Sequence, residues 1–229
     1  MNVLAIAFVY NERAYIETAI KYYHSQGCNL YIIDNMSNDG TWEWLQENNI
    51  PSHRFDTQDA FQLEWLQEEM ISTLHKLQPD WFVWFAPDLF HVFDRPIIQV
   101  IESLEYDGRF NQIHSPCYCF KNTGEEGHLP LWDVYDYAYL NIKVKLISKY
   151  TPEISIMGDV ISMPAANAAL TGAILEYGGC KPAEIMEAKL RRRQKAWELG
   201  TPKSHGCHYK DGKAMNWTCN RSDLLNGLE

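Results

Sequence analysis

The chain has 229 residues, with 20 Lys plus Arg against 30 Asp plus Glu, for a formal net charge of −10. With 46% hydrophobic and 22% charged residues it has the composition of a globular protein and not of a disordered one, and the length fits one domain. The acid excess excludes the basic stripe of a nucleic-acid binder, and no apolar run reaches membrane-spanning length.

The first apolar run, Val3 to Val9, has the length and continuity of a strand buried on both faces. It lacks a basic leader and meets Asn11-Glu12-Arg13 at once, so no export signal is expected. A cytoplasmic location and six reduced cysteines follow as expectations. Asn11 reads as a helix N-cap, with Glu12 in the first turn and Ile16, Ala19, Ile20 and Tyr23 on one helix face. Gly27 is placed to end that helix.

Leu30 to Ile33 reads as a second buried strand, ending at Asp34. A polar turn over 35–40 leads to a short helix over 41–48 and a short strand near 52–55. Leu63, Leu66, Met70, Leu74 and Leu77 recur at three- and four-residue spacing, which predicts an amphipathic helix. Trp81 to Phe85 is the next buried strand, running out near Asp88, and Pro96 opens a helix to Leu104.

Residues 1–105 thus alternate strand and helix, which predicts an α/β fold: a Rossmann-type, mostly parallel sheet flanked by helices. Residues 106–229 read as a mixed C-terminal half of the same domain. Its expected strands lie near 113–120, 139–148, 154–163 and 170–177, followed by a helix over 184–199 and a polar tail. Met186, Leu190 and Trp197 mark one side of that helix, and Arg191-Arg192-Arg193 reads as its solvated face.

Ligands of open α/β sheets bind at the carboxyl ends of the strands. Three polar signals fall there: Asn11-Glu12, Asp34-Asn35 and Asp88. Each alone is also a turn or cap residue. Together they gather carboxylates at one edge, which is costly unless a cation or hydrogen-bond donors compensate. No Gly-rich dinucleotide fingerprint and no Walker loop follows any strand.

The segment Val9-Tyr10-Asn11-Glu12-Arg13, with Ile33-Asp34-Asn35-Met36-Ser37-Asn38-Asp39-Gly40-Thr41, resembles the opening signature of family 2-like nucleotide-sugar glycosyltransferases of the GT-A fold. Asp80 to Phe90 is similar to that family's D-x-D strand end, with Ala86 at the first acid, Leu89 in place of the following Glu, and Asp88 kept. The resemblance implies transfer of a sugar from a nucleotide-sugar donor to a carbohydrate or other hydroxyl acceptor, with inversion. It implies donor binding by Tyr10, Asn11, Glu12, Asp34, Asn35 and Asp88. It further implies Mn²⁺ or Mg²⁺ held by Asp88 and a C-terminal His, with His208 favoured over His205.

Hard oxygen ligands suit such an ion, which would stabilise the leaving diphosphate. The acceptor hydroxyl also needs a carboxylate base. Asp133, Asp136, Glu153 and Asp159 are available, and Asp159, after Gly158, is preferred. The thiols and imidazoles of Cys207, His205, His208 and Cys219 have no standard zinc spacing. Cys117 and Cys119 share one face of a strand and read as small hydrophobes. Most tryptophans read as core, with Trp132 the best acceptor platform. The altered D-x-D leaves two rival readings: a catalytically degenerate binder of nucleotide or carbohydrate, and a metal-independent transferase.

Overall fold

A computed structural model of the chain describes residues 1–121, 137–141, 147–157, 160–179, 181, 183–200 and 218–220. In chain order the elements are β1 (Val3–Val9), α1 (Arg13–Ser25), β2 (Asn29–Asp34), α2 (Thr41–Glu47), β3 (Ser52–Arg54), α3 (Leu63–Leu77), β4 (Trp81–Trp84), β5 (Leu89–Val92) and α4 (Ile97–Asp107). They continue as β6 (Gln112–His114), β7 (Cys117–Lys121), β8 (Tyr137–Asn141), β9 (Ile147–Lys149), β10 (Ser155–Met157), β11 (Val160–Ser162), β12 (Ala168–Leu170), β13 (Ala173–Gly179), α5 (Ala183–Glu198) and β14 (Thr218–Asn220).

The main sheet has seven strands in the order β12-β6-β9-β4-β1-β2-β3. Every neighbouring pair is parallel except the two that β9 makes, with β4 and β6. This is the mostly parallel α/β architecture expected from the alternating elements. β1 lies between β2 and β4, with Val9 level with Asp34 at the carboxyl edge. A second sheet runs β14-β8-β7-β13-β5, and β10 and β11 form a hairpin.

The continuous apolar runs are explained by the two-residue period of a strand. Val3, Ala5, Ala7 and Val9 face one layer, with Ile16, Ala19, Ile20 and Tyr23 of α1 and Ile97, Val100 and Ile101 of α4. Leu4 and Ile6 face the other, with Met70 and Leu74 of α3 and Ile154, Ile156 and Ile161 around the β10–β11 hairpin. β4 divides likewise: Trp81 and Val83 go one way, Phe82 and Trp84 the other. Both faces of the central strands are therefore covered.

Several details differ from the sequence expectation. The strand expected over 139–148 is two, β8 and β9, in different sheets; the one expected over 154–163 is the β10–β11 hairpin; and β5 is a strand that the sequence reading does not contain. Asn11 does not cap α1: Glu12 holds the N-cap position without a side-chain cap bond, and Asn11 sits in the left-handed region at φ 52°. The expected 113–120 strand divides into β6 and β7, in different sheets. Pro116 lies at the break, where it has no N–H to give, and its carbonyl accepts Ile174 N at 2.8 Å. The 170–177 strand divides too, at Gly172, whose φ of +69° and tight packing on Phe93 exclude a side chain.

Gly27 ends α1 as expected, at φ +82°. A Cβ there would stand 2.6 Å from Ile98 Cγ2, so the turn also needs glycine for close approach to α4. Cys28 and Cys117 are buried and form no disulfide among the described residues. Among the described residues no helix is long and apolar enough to cross a membrane.

Candidate active site at the strand ends

The loops after β1 and β2 are tied together at the carboxyl edge. Asn11 N donates to Ser37 Oγ at 2.9 Å, its Nδ2 donates to Asn38 Oδ1 at 2.9 Å, and its Oδ1 accepts Asn38 N at 2.9 Å. Glu12 N donates to Thr41 Oγ1 at 2.9 Å, and Arg13 N to Asp39 Oδ2 at 3.0 Å. The DGT stretch after β2 is therefore a scaffold that accepts the exposed N–H groups at the start of α1. Asn11 acts as a cross-link between loops, which accounts for its left-handed backbone.

A four-charge cluster occupies the edge between β1 and β4. Glu12 and Asp88 are both buried, at 5% and 8% exposure, and Lys181 lies between them at 3%. Lys181 Nζ donates to Glu12 Oε1 at 2.7 Å and Oε2 at 2.5 Å, and stands 2.8 Å from Asp88 Oδ2. It also sits 4.8 Å from the centre of the Tyr15 ring. Lys189, on α5, approaches the same acids, 3.3 Å from Glu12 Oε1 and 3.7 Å from Asp88 Oδ2. Two carboxylates and two ammoniums balance. That balance makes the burial of Glu12 and Asp88 tolerable, since a lone buried carboxylate costs several kcal/mol.

The positions that differ from the D-x-D pattern are apolar for a visible reason. Leu89 is fully buried and packs with Cys117 and Ile174, and Ala86 packs against that cluster. The turn is closed by Leu89 N donating to Ala86 O at 2.9 Å, and Asp88 O accepts Tyr177 N from β13 at 2.8 Å. An acid at 86 or 89 would stand against this apolar packing.

On the β2 side, Asp34 is fully buried. Its Oδ2 accepts Ser37 N at 3.1 Å and Arg54 Nε at 3.1 Å, while its Oδ1 has no hydrogen-bond partner among the described residues. Arg54 also donates to Ser37 O at 2.5 Å and lies over Trp42.

Asn35 is buried beside Asp34, and the hydrogen-bond network assigns its amide: the oxygen faces Arg192 Nη2 at 2.8 Å, and the nitrogen faces Thr57 Oγ1 at 2.8 Å and Phe55 O at 3.1 Å. Arg192 is the correction to the expected solvated face. Arg191 is exposed, but Arg192 is 7% exposed and its guanidinium lies 3.4 Å from the centre of the Tyr10 ring. Its Nη2 donates to Ala60 O at 3.1 Å, and burial pushes its pKa down from the usual arginine range. Arg192 and Ala196 are the buried residues of α5 outside its first turn, with Leu190 and Trp197 half-buried.

The structure thus gathers Tyr10, Asn11, Glu12, Asp34, Asn35 and Asp88 along one edge, and adds four cations that the strand-end pattern does not contain: Arg54, Lys181, Lys189 and Arg192. Lys181 pairs with Glu12 across 169 residues, and nothing local to it signals a site. Of the proposed bases, Glu153 is exposed, while Asp133, Asp136 and Asp159 lie outside the described residues, as do His205, His208 and Trp132. Trp81 and Trp84 are core, as expected, whereas Trp42 and Trp44 lie under Arg54 and Arg13.

The described residues around Asp88 do not by themselves fit a divalent cation. Among the described residues no group of three or more His, Cys, Asp and Glu side chains could hold a metal ion. The Asp88 carboxylate is engaged by two ammoniums instead.

No protein-family model matches the chain, and no curated protein matches it. Solved structures similar to it include S. aureus TarS, at 12% identity and a TM-score of 0.38 over 56% of this chain and 23% of that one. They also include mannosyl-3-phosphoglycerate synthase from Rubrobacter xylanophilus, at 11% identity and a TM-score of 0.45 over 89% of this chain and 79% of that one. A third is CMP:2-keto-3-deoxy-manno-octonic acid synthetase complexed with CTP, at 7% identity and a TM-score of 0.41 over 87% of this chain and all of that one. The chain spans about a quarter of the length of TarS. Function is therefore read from the strand-end site itself.

Proposed function

We propose that the chain is a glycosyltransferase that moves a sugar from a nucleotide-sugar donor to a hydroxyl acceptor, with inversion. One observation carries the reading: the polar ends of β1, β2 and β4 converge at the carboxyl edge of a mostly parallel sheet, and cations from Lys181 and α5 are laid against them. This is where open α/β sheets bind ligands, and the added cations suit an anionic one.

In this reading Asp34 faces the base or ribose, where its Oδ1, without a partner among the described residues, is an acceptor for a ligand N–H or O–H. Tyr10 and Asn35 line the same side. Glu12, Lys181, Asp88 and Lys189 form the phosphate side. The acceptor oxygen bonds to the anomeric carbon as that carbon's bond to the phosphate oxygen breaks. The proton passes to a carboxylate, for which Asp159 remains the candidate, and the nucleotide leaves as an anion.

The test is nucleotide release from a panel of UDP-, GDP- and CMP-sugars. The expected result is release from one donor class, with Asp34→Asn lowering kcat/KM by about tenfold or more. A chain that neither binds nor turns over any donor contradicts the reading. The buried apolar packing of Ala86 and Leu89 favours a second one, a non-catalytic nucleotide or carbohydrate binder. Tight binding without release of nucleotide from any donor selects it.

A further inference from the structure

We infer that Lys181 and Lys189 form a built-in cation that takes the place of a divalent metal beside Asp88, so that a nucleoside diphosphate binds this site without metal. The inference rests on the nucleotide-sugar reading above and specifies how its phosphates are held.

The two lysines have different parts. An ammonium has three N–H donors. Those of Lys181 are directed at Glu12 Oε1, Glu12 Oε2 and Asp88 Oδ2, all within 2.8 Å, and its side chain is 1% exposed. Lys181 therefore fixes both acids and offsets one of their two charges. Lys189 reaches the same acids at 3.3 and 3.7 Å, with its side chain 31% exposed.

These longer contacts, open to solvent, are ones that a phosphate oxygen can replace at little loss, since a charge-assisted bond to phosphate is shorter and stronger. Lys189 and Arg192 are three residues apart on α5, so they share one face of the helix. That face meets the strand ends at Asp88 through Lys189 and at Tyr10 through Arg192. The phosphate side and the base side of a nucleotide are thereby spanned by one helix. A metal added at Asp88 would have to displace both ammoniums, whereas a diphosphate needs to recruit only the more exposed one.

The test is calorimetric titration of UDP, GDP and CDP into the full chain, once in EDTA and once in Mn²⁺, with the wild type, Lys189→Ala and Lys189→Arg. The inference expects one of these nucleotides to bind with the same affinity, within about twofold, in both buffers. It expects Lys189→Ala to weaken that binding by about tenfold or more, and Lys189→Arg to restore most of it. Lys189 is partly exposed on a helix, and Ala is a good helix former, so the fold should survive; the two-buffer comparison needs no variant at all. Binding that appears only with Mn²⁺ overturns the inference and leaves the nucleotide reading standing. Wild-type affinity in Lys189→Ala overturns the role given to Lys189. Absence of binding of all three in both buffers overturns this inference, and the nucleotide-sugar reading falls with it only if the donor panel, CMP-sugars included, also gives no binding and no release.

Discussion

Lys181 is the residue on which the strand-end site depends most for its stability. Removing it takes from the buried Glu12 and Asp88 the ammonium that stands 2.5 Å from one and 2.8 Å from the other. Lys181→Met should therefore cost about 3–5 kcal/mol in urea unfolding, and the loss should shrink when Glu12→Gln is added. Equal losses in the single and double variants would contradict the coupling. At this scale the carboxylates were legible because an acid at the end of a buried strand, or within four residues past it, is a local signal. Glu12, Asp34 and Asp88 are of that kind. Their counter-ions were not legible. Lys181 is a single lysine far along the chain, and Arg192 looks like its two neighbours until Tyr10 and Asn35 are brought beneath it. In a helix three successive arginines point in three directions, so the row alone does not say which one turns inward.

At the scale of elements, α5 is seated by Arg192 and by Phe61 N donating to Arg192 O at 3.1 Å. Arg192→Ala removes a guanidinium that stacks on Tyr10 and donates to Ala60 O, and should cost about 2 kcal/mol. Hydrogen exchange is the sensitive readout: the loss should speed exchange in α5 and the 55–62 loop before it reaches β1. The α1–β2 turn gives a sharper case. Gly27→Ala forces a side chain into the left-handed region and against Ile98, so a loss of about 2–3 kcal/mol is expected from a thermal melt. A neutral substitution would contradict the close approach to α4. The helices of the first half were legible from their apolar spacing. The strand breaks at Pro116 and Gly172 were missed because two short strands in different sheets look, in one dimension, like a single run.

For the whole molecule, the doubly covered sheet is the main source of stability, and the continuous apolar runs of β1 and β4 announced it. Cys28 lies inside that core, where burial pushes its thiol up to about 12. The folded chain keeps this proton where the unfolded chain, with an ordinary value of 9.0, gives it up. Stability should therefore fall as pH rises above 9, with Cys28 contributing about 1.4 kcal/mol of the loss by pH 10. Urea midpoints at pH 8 and pH 10 check this, since the drop should be smaller in Cys28→Ala. Burial raises Tyr22 and Tyr23 as well, which steepens the decline at higher pH in both proteins.

The central claim is that the carboxyl edge of the main sheet is a nucleotide site, and the most direct measurement is amide chemical-shift mapping as a nucleoside diphosphate is titrated into the labelled protein. The account predicts that the largest shifts cluster at Tyr10 to Glu12, Asp34 to Ser37 and Lys189 to Arg192. Shifts confined to another face, such as the cleft lined by Met1, Asp80, Glu105 and Lys149, or no shifts at saturating nucleotide, would contradict it.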